Sequence, residues 1–257
     1  DDCGVDDADN DEDNVLDGYT GNDTVSFDDD EVTGGVLVDL GANGDGDGTA
    51  SGTGVGNDTL LNIENVTGSQ YDDDITGDGN DNVIQGGLGS DILDGGAGTD
   101  TLSFMDIVGE TVTLDIEAMR ADLSDGSFDL FGNFEQYVLT TGDDIAYNSS
   151  GDDIIDAGSV WFDHDGNSWT ANILVWNQDT DTINYSTTDA VDIDLSAGTA
   201  TDNAAGTSGG ATAVGNDTLT GFENVVGSAY DDLITGDDEN NDLQGNAGED
   251  VIDGGAG

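Results

Sequence analysis

Proline is absent from the 257 residues, lysine and arginine together occur once, and cysteine occurs once. Each shortage excludes something. A single fixed cation, Arg120, cannot neutralise the phosphates of a nucleic acid or form a basic patch against anionic lipid, so both partner classes are ruled out. Cys3 has no second thiol to pair with, so no intrachain disulfide staples the chain. No apolar run approaches the ~18 residues of a membrane span, and membrane insertion is not expected. Without proline, every backbone N–H is available to a strand ladder. Aromatic residues make up 6% and hydrophobic residues 34%, a thin core set against 59 acidic residues and a net charge of −58. In plain water such a chain does not offset its ordering entropy, so something cationic must be part of the fold.

What is abundant is glycine, 41 residues, and it recurs with aspartate at a fixed period. Residues 59–103 divide into TLLNIENVT, GSQYDDDIT, GDGNDNVIQ, GGLGSDILD and GGAGTDTLS. The eighth position is always aliphatic: Val66, Ile75, Ile84, Leu93 and Leu102. The sixth always carries a side-chain oxygen: Glu64, Asp73, Asn82, Asp91 and Asp100. A three-residue strand turns its middle side chain to one face and its neighbours to the other, so the eighth residue fills a core. The other six residues turn the chain. Two blocks make one coil of 18 residues, and stacked coils pair as parallel strands about 4.8 Å apart. The Asp73 turn therefore stacks on the Asp91 turn, and the Asn82 turn on the Asp100 turn. Stacked carboxylates and glycine-exposed carbonyls form a cage of hard oxygens, which suits Ca²⁺ better than the strictly octahedral Mg²⁺. These carboxylates are expected in solvent-wetted turns, which argues against a glycosidase pair with one raised pKa.

The strings GGLGSDILD and GGAGTDTLS resemble the nonapeptide of the hemolysin-type calcium-binding, or RTX, family. The resemblance implies an all-β, right-handed parallel β-roll or β-solenoid that binds several Ca²⁺ ions. It also implies a bacterial protein exported unfolded and folding in extracellular calcium. The side-chain ligands expected on this reading are Asp23, Asp73, Asn82, Asp91, Asp100, Asp144, Asp153, Asp232, Asn241 and Asp250. Backbone ligands are expected at Gly86, Gly87, Gly89, Gly95, Gly96, Gly98, Gly245 and Gly248.

A longer period overlies the nine. DTVSF at 23, DTLSF at 100 and DTINY at 181 open similar units: 23–99, 100–180 with a Trp-rich hairpin at 159–178, and 181–257. Residues 1–22 read as the tail of a preceding unit. Each unit continues with an alternating strand (36–40, 112–116, 191–195), an irregular Gly-rich loop, an anchor (NIENV at 62, NFEQY at 133, GFENV at 221) and a nonapeptide run. In the third run Ile234, Leu243 and Ile252 are expected to point inward; the middle run is degenerate and is expected to bind less calcium. The pattern reads as a stretch of a longer repetitive protein. The residue just before the inward position is often aliphatic, as in Val15, Val83, Ile92, Ile145, Ile154, Leu233 and Val251, which predicts an apolar stripe covered by a neighbouring unit or another chain.

Enzymatic signals are weak. GTSGG at 206–210 matches a nucleophile-elbow pattern but lacks an apolar strand before it and a histidine after it. His164 is alone, so no H-E-x-x-H zinc site is possible. Trp161, Trp169 and Trp176 are expected to pack the hairpin on the roll, with carbohydrate stacking as the alternative. The leading reading is a non-catalytic, calcium-binding structural segment of a large secreted or cell-surface protein of the adhesin, surface-layer or filament type. Its partners would be calcium, neighbouring repeat units and, through lateral contacts, further copies. The alternative is the secretion and folding module of an extracellular enzyme whose catalytic domain lies elsewhere.

Overall fold

A computed structural model describes residues 13–29, 31–41, 47–105, 107, 110–147, 154–157, 181–186, 188–203 and 214–257. Among them there are 24 strands and no helix. In chain order the first thirteen are β1 (Val15–Asp17), β2 (Thr24–Ser26), β3 (Val36–Asp39), β4 (Gly48–Gly52), β5 (Gly56–Leu61), β6 (Asn65–Thr67), β7 (Asp74–Thr76), β8 (Val83–Gln85), β9 (Ile92–Asp94), β10 (Thr101–Ser103), β11 (Val112–Asp115), β12 (Arg120–Leu123) and β13 (Phe128–Gly132). The remainder are β14 (Gln136–Val138), β15 (Ile145–Tyr147), β16 (Ile154–Asp156), β17 (Thr182–Asn184), β18 (Val191–Asp194), β19 (Thr199–Asp202), β20 (Asn216–Thr220), β21 (Asn224–Val226), β22 (Leu233–Thr235), β23 (Asp242–Gln244) and β24 (Val251–Asp253). The chain divides into two compact units. The first holds the described residues up to 107 and those from Asp122 to Gln136; the second holds the rest.

In the first unit, β1, β5, β4, β3, β7, β9 and β13 lie side by side in one sheet, and β2, β6, β8 and β10 in another. The nine-residue phase explains this alternation, because each block sends its strand to the opposite sheet from the block before. Parallel pairing sets Ile75 beside Leu93 in one sheet and Ile84 beside Leu102 in the other, each pair 18 residues apart. All four side chains are fully buried. Each contributes roughly 1.5–3 kcal/mol by leaving water. Phe27 and Phe104, the last residues of DTVSF and DTLSF, add aromatic bulk to this core.

The second unit repeats the plan, with β11, β15, β17, β21 and β23 in one sheet and β16, β20, β19, β18, β22 and β24 in the other. Tyr185, the last residue of DTINY, is fully buried, and its hydroxyl donates to Asp217 Oδ2 at 3.0 Å. Ile234 is buried as expected, whereas Leu243 is half-buried and Ile252 exposed. In the described residues no strand stacks beyond β23 and β24, so the inner faces of these two lack cover.

The expected alternating strands at 36–40 and 191–195 are present, with Val36, Val38, Val191 and Ile193 inward. Each leads into an excursion more ordered than a loop. β3, β4 and β5 form an antiparallel meander, with Val38 opposite Ala50 and Ala50 opposite Asp58. Its outer strands are parallel to the roll on either side, β5 to β1 and β3 to β7. β18, β19 and β20 repeat this arrangement between β16 and β22. The Trp-rich hairpin at 159–178, with His164, and the GTSGG string lie outside the described residues.

The expected apolar stripe does not form. Alternation sends Val15 and Ile92 to one sheet of the first unit and Val83 to the other. Val83 lies between Asn65 and Thr101, and Ile145 between Thr113 and Thr182. Among the described residues at these outward positions, Ile92 with Leu130 and Leu233 with Val251 are the side-by-side aliphatic neighbours.

Candidate calcium centres

The sixth-position carboxylates stand in files that run across the coils. In one file of the first unit, the Val36 N–H donates to Asp73 Oδ1 at 2.8 Å, the Asp73 N–H to Asp91 Oδ1 at 2.8 Å, and the Asp91 N–H to Asp129 Oδ1 at 2.9 Å. In the other, the Asn82 N–H donates to Asp100 Oδ1 at 2.8 Å and the Asp100 N–H to Glu135 Oε2 at 2.9 Å. The second unit repeats the motif from Val112 to Asp144, from Asp144 to Asp181, from Val191 to Asp232 and from Asp232 to Asp250. The turn stacking read from the 18-residue period is thus a backbone-to-carboxylate ladder.

These side chains are not in wetted turns. Asp23, Asp73, Asn82, Asp91, Asp100, Asp144 and Asp232 are all buried, at the inner foot of each turn. For all of these but Asp144, whose block opens on Leu139, the cause is glycine at the first position of the block, which lets the turn close over the side chain. A Cβ on Gly68 would strike the Gly86 carbonyl oxygen and crowd Asp73 Oδ2; one on Gly77 would strike the Gly95 carbonyl oxygen and Asn82 Oδ1. A carbonyl and a side-chain oxygen therefore share one cradle, two coils contributing to each. Gly87, Gly96 and Gly248 hold left-handed φ values of 90°, 94° and 144°, and a side chain there would collide with the carbonyl oxygens of Ser69, Asp78 and Tyr230. Gly89 and Gly98 are likewise left-handed and pressed on the preceding coil, while Gly245 packs on Asp250 Oδ2.

Burial of unneutralised carboxylates is costly. Burial, reinforced by the charges of Asp129, Asp73 and Asp72, pushes the Asp91 carboxyl up to about 9. Burial also raises Asp73, Asp100 and Asp232, against the N–H groups that donate to them. A divalent cation inverts that balance.

The second position of the block decides which carboxylates are satisfied by the protein alone. Where it is serine or threonine, the hydroxyl donates back: Ser69 Oγ to Asp73 at 2.8 Å, Ser228 Oγ to Asp232 at 2.7 Å, Thr140 Oγ1 to Asp144 at 2.9 Å. Where it is glycine, as in the two complete blocks, no hydroxyl is there to give. Asp91 Oδ2 and Asp100 Oδ2 are buried and accept no hydrogen bond, and Asp23 Oδ2 is in the same condition. Asn82 is different again. Its Oδ1 accepts from the Asp78 N–H at 2.8 Å and its Nδ2 donates to the Glu64 carbonyl at 2.8 Å, so that position is closed by neutral hydrogen bonds. Asn241 Oδ1 likewise accepts from the Asp237 N–H at 3.0 Å, while its Nδ2 donates to the Asp237 carboxylate at 3.1 Å, and Asp250 is half-buried. Asp153 lies outside the described residues.

Among the described residues no three His, Cys, Asp or Glu side chains converge on one point, so any cation held here draws on carbonyl oxygens as well. The donor set of buried carboxylate oxygens and glycine-exposed carbonyls fits Ca²⁺, a hard cation taking six to eight oxygens in flexible geometry. A family model for the RTX calcium-binding nonapeptide repeat matches in four copies, over residues 8–34, 67–102 and 226–257. The chain carries RTX calcium-binding repeats. Such repeats form β-rolls and bind several calcium ions per repeat region, as structural modules. The matched RTX segments contain Asp23, the 73–100 ladder and the 232–250 ladder, and omit Asp144 and Asp153 of the degenerate middle run. No curated protein matched the chain. No helix among the described residues is long and apolar enough to cross a membrane.

Several buried carboxylates escaped the sequence reading. Asp58 and Asp217 lie on β5 and β20, the returning strands of the two meanders, and Asp129 lies on β13; all three are buried. Asp58 accepts from the Asn14 N–H at 2.8 Å. For Asp58 and Asp217 the signal is the string itself: Asp58-Thr59-Leu60 and Asp217-Thr218-Leu219 repeat Asp100-Thr101-Leu102. An outer series also went unread, in which Asp72, Asp81 and Asp231 accept the N–H groups of Ser90, Thr99 and Glu249 one coil on.

Proposed function

We propose that this chain is a calcium-dependent structural segment of a large secreted or cell-surface bacterial protein, of the adhesin, surface-layer or filament type, and that it folds when it meets calcium outside the cell. The observation that carries this reading is the file of buried carboxylates, Asp73, Asp91 and Asp129, in a chain with one Lys or Arg against 59 acids. Metal-free, these groups repel and the thin core does not hold them together; calcium supplies the missing charge. Asp23, Asp73, Asp91, Asp100, Asp144, Asp232 and Asp250 serve as ligands, with Asn82 and Asn241 as weaker ones. The carbonyls at Gly86, Gly87, Gly89, Gly95, Gly96, Gly98, Gly245 and Gly248 complete the cages. The recurrence of the whole unit about every 80 residues supports a structural repeat array over an accessory to an enzyme, since the latter needs only one nonapeptide run. The Ile92–Leu130 and Leu233–Val251 pairs are the outward apolar surface on which lateral contacts between copies would draw.

Circular dichroism in chelator and in millimolar Ca²⁺ tests the proposal. The expected result is a largely disordered spectrum that becomes β-rich on calcium addition, with less response to equal Mg²⁺. A native β spectrum in excess chelator would falsify it.

A further inference from the structure

Three short segments return the chain from an excursion to the roll: Asn62-Ile63-Glu64, Asn133-Phe134-Glu135 and Gly221-Phe222-Glu223. They share one local geometry. The first residue is left-handed, with φ of 52°, 60° and 79°. The second is buried in the core. The third accepts, through its carboxylate, the backbone N–H of an aspartate that opens a unit: Glu64 Oε2 from Asp23 at 2.9 Å, Glu135 Oε2 from Asp100 at 2.9 Å, Glu223 Oε2 from Asp181 at 3.0 Å. The separations are 41, 35 and 42 residues, none a multiple of nine, so no repeat motif spans these pairs.

At two of the three places, more oxygen converges than capping requires. Asp23 and Asp100 are both buried, and Oδ2 of each accepts no hydrogen bond. The left-handed turn aims a carbonyl at the same spot. A Cβ on Gly95 would strike the Asn133 carbonyl oxygen and stand 3.0 Å from Asp100 Oδ2; one on Gly18 would strike the Asn62 carbonyl oxygen and stand 2.8 Å from the Asp23 carboxyl carbon. Each place thus offers an unmet buried carboxylate oxygen, a second carboxylate from the glutamate and a main-chain carbonyl. Two negative charges and a set of hard oxygens match one Ca²⁺, with water completing the shell.

We propose that the returning anchors supply calcium ligands across the break in the period: Glu64 and the Asn62 carbonyl join Asp23, and Glu135 and the Asn133 carbonyl join Asp100. The inference rests on the calcium reading above. Their role is to fix register where the period is broken. After an excursion of 35 or more residues nothing in the nine-residue phase says where the chain should rejoin, and a slip of one residue would turn every inward side chain outward. A cation clamped between the last coil and the returning anchor removes that freedom.

Substituting glutamine separates a cap from a ligand, because its amide oxygen still accepts the Asp N–H while the charge is lost. Calcium stoichiometry of the full chain is measured by native mass spectrometry and equilibrium dialysis for wild type, Glu64→Gln/Glu135→Gln and Asp91→Asn. The expected result is two fewer ions at subsaturating calcium for the double variant, with its β spectrum recovered at high calcium. Wild-type stoichiometry in the double variant, beside a loss in Asp91→Asn, overturns the anchor sites and leaves the nonapeptide reading standing; no calcium bound by wild type overturns both. Should the double variant not fold, anomalous scattering from calcium-loaded wild-type crystals decides. A calcium peak within about 2.6 Å of Asp100 and Glu135 oxygens supports the inference, and a water or no peak there overturns it.

Discussion

Asp73 and Asp91, 18 residues apart and one coil apart in space, are joined by the Asp73 N–H donating to Asp91 Oδ1 at 2.8 Å. The bond uses one oxygen of Asp91 and leaves Oδ2 buried without a partner. A single side chain therefore does two things: Oδ1 holds the preceding coil, and Oδ2 awaits a cation.

The Asp91→Asn substitution separates those tasks. The amide oxygen still accepts the Asp73 N–H, but the charge that burial and Asp129 make costly is gone. In calcium the variant should need about tenfold more metal to fold, equivalent to about 1.4 kcal/mol. In chelator it should be at least as structured as wild type. Calcium titrations followed by circular dichroism read the first effect and urea titrations in chelator the second. Equal calcium midpoints for the two proteins would count against a ligand role.

Acid should partly replace calcium. Asp73, Asp91, Asp100 and Asp232 all bind a proton more tightly in the fold than in the open chain, where the value is 3.8. Their protonation stabilises the fold fully below that value, and the gain is lost as pH rises through the folded value, about 9 for Asp91. In calcium-free buffer β structure should therefore grow as pH falls from 8 towards about 4. A calcium-free chain whose β content is the same across that window contradicts this linkage.

The nonapeptide phase made the coil, the inward residues and the 18-residue stacking readable, because Gly, Asp and an aliphatic recur at fixed positions and each position has one steric meaning. Ile75, Ile84, Leu93 and Leu102 are buried as their position requires. The meanders were less readable. Asp129 meets Asp91 across 38 residues and Asp58 meets Asn14 across 44, distances set by the length of an insertion and not by a period. The burial of the carboxylates was misjudged for another reason. Asp and Gly together signal a solvated turn, yet here glycine lets the turn fold inward over its own aspartate.

The aliphatic pair Ile92 and Leu130 is a surface feature within the isolated chain. Ile92 is 55% exposed and Leu130 44%, and Asp74 flanks Ile92 on the other side. Ile92→Thr keeps strand propensity, so the monomer's stability in saturating calcium should move by less than about 0.5 kcal/mol. Thermal melts of dilute protein measure this. A loss well beyond that size would mean that Ile92 is covered in solution.

Two glycines in one turn make the sharpest test of the cradle. Gly77 and Gly79 both lie in the block GDGNDNVIQ, Gly77 at the first position, where four of the five blocks carry glycine, and Gly79 at the third, where the other blocks do not. A Cβ on Gly77 meets the Gly95 carbonyl oxygen of the stacked coil and Asn82 Oδ1 of its own block, whereas a Cβ on Gly79 meets nothing within 4 Å. Neither residue has a left-handed φ, so the comparison is one of space alone. Gly77→Ala should force the two coils apart and cost about 1–3 kcal/mol, the usual penalty for overfilling a packed site. Gly79→Ala should be neutral or stabilising by about 0.4–1 kcal/mol, since alanine has fewer open-chain conformations to lose. Because the carbonyl and Asn82 oxygens define the cavity between coils, Gly77→Ala should also raise the calcium midpoint while Gly79→Ala leaves it unchanged. Urea unfolding in saturating calcium and calcium titration of both variants provide the two readings, and equal behaviour of the pair would remove the close approach of coils as the reason glycine begins the block.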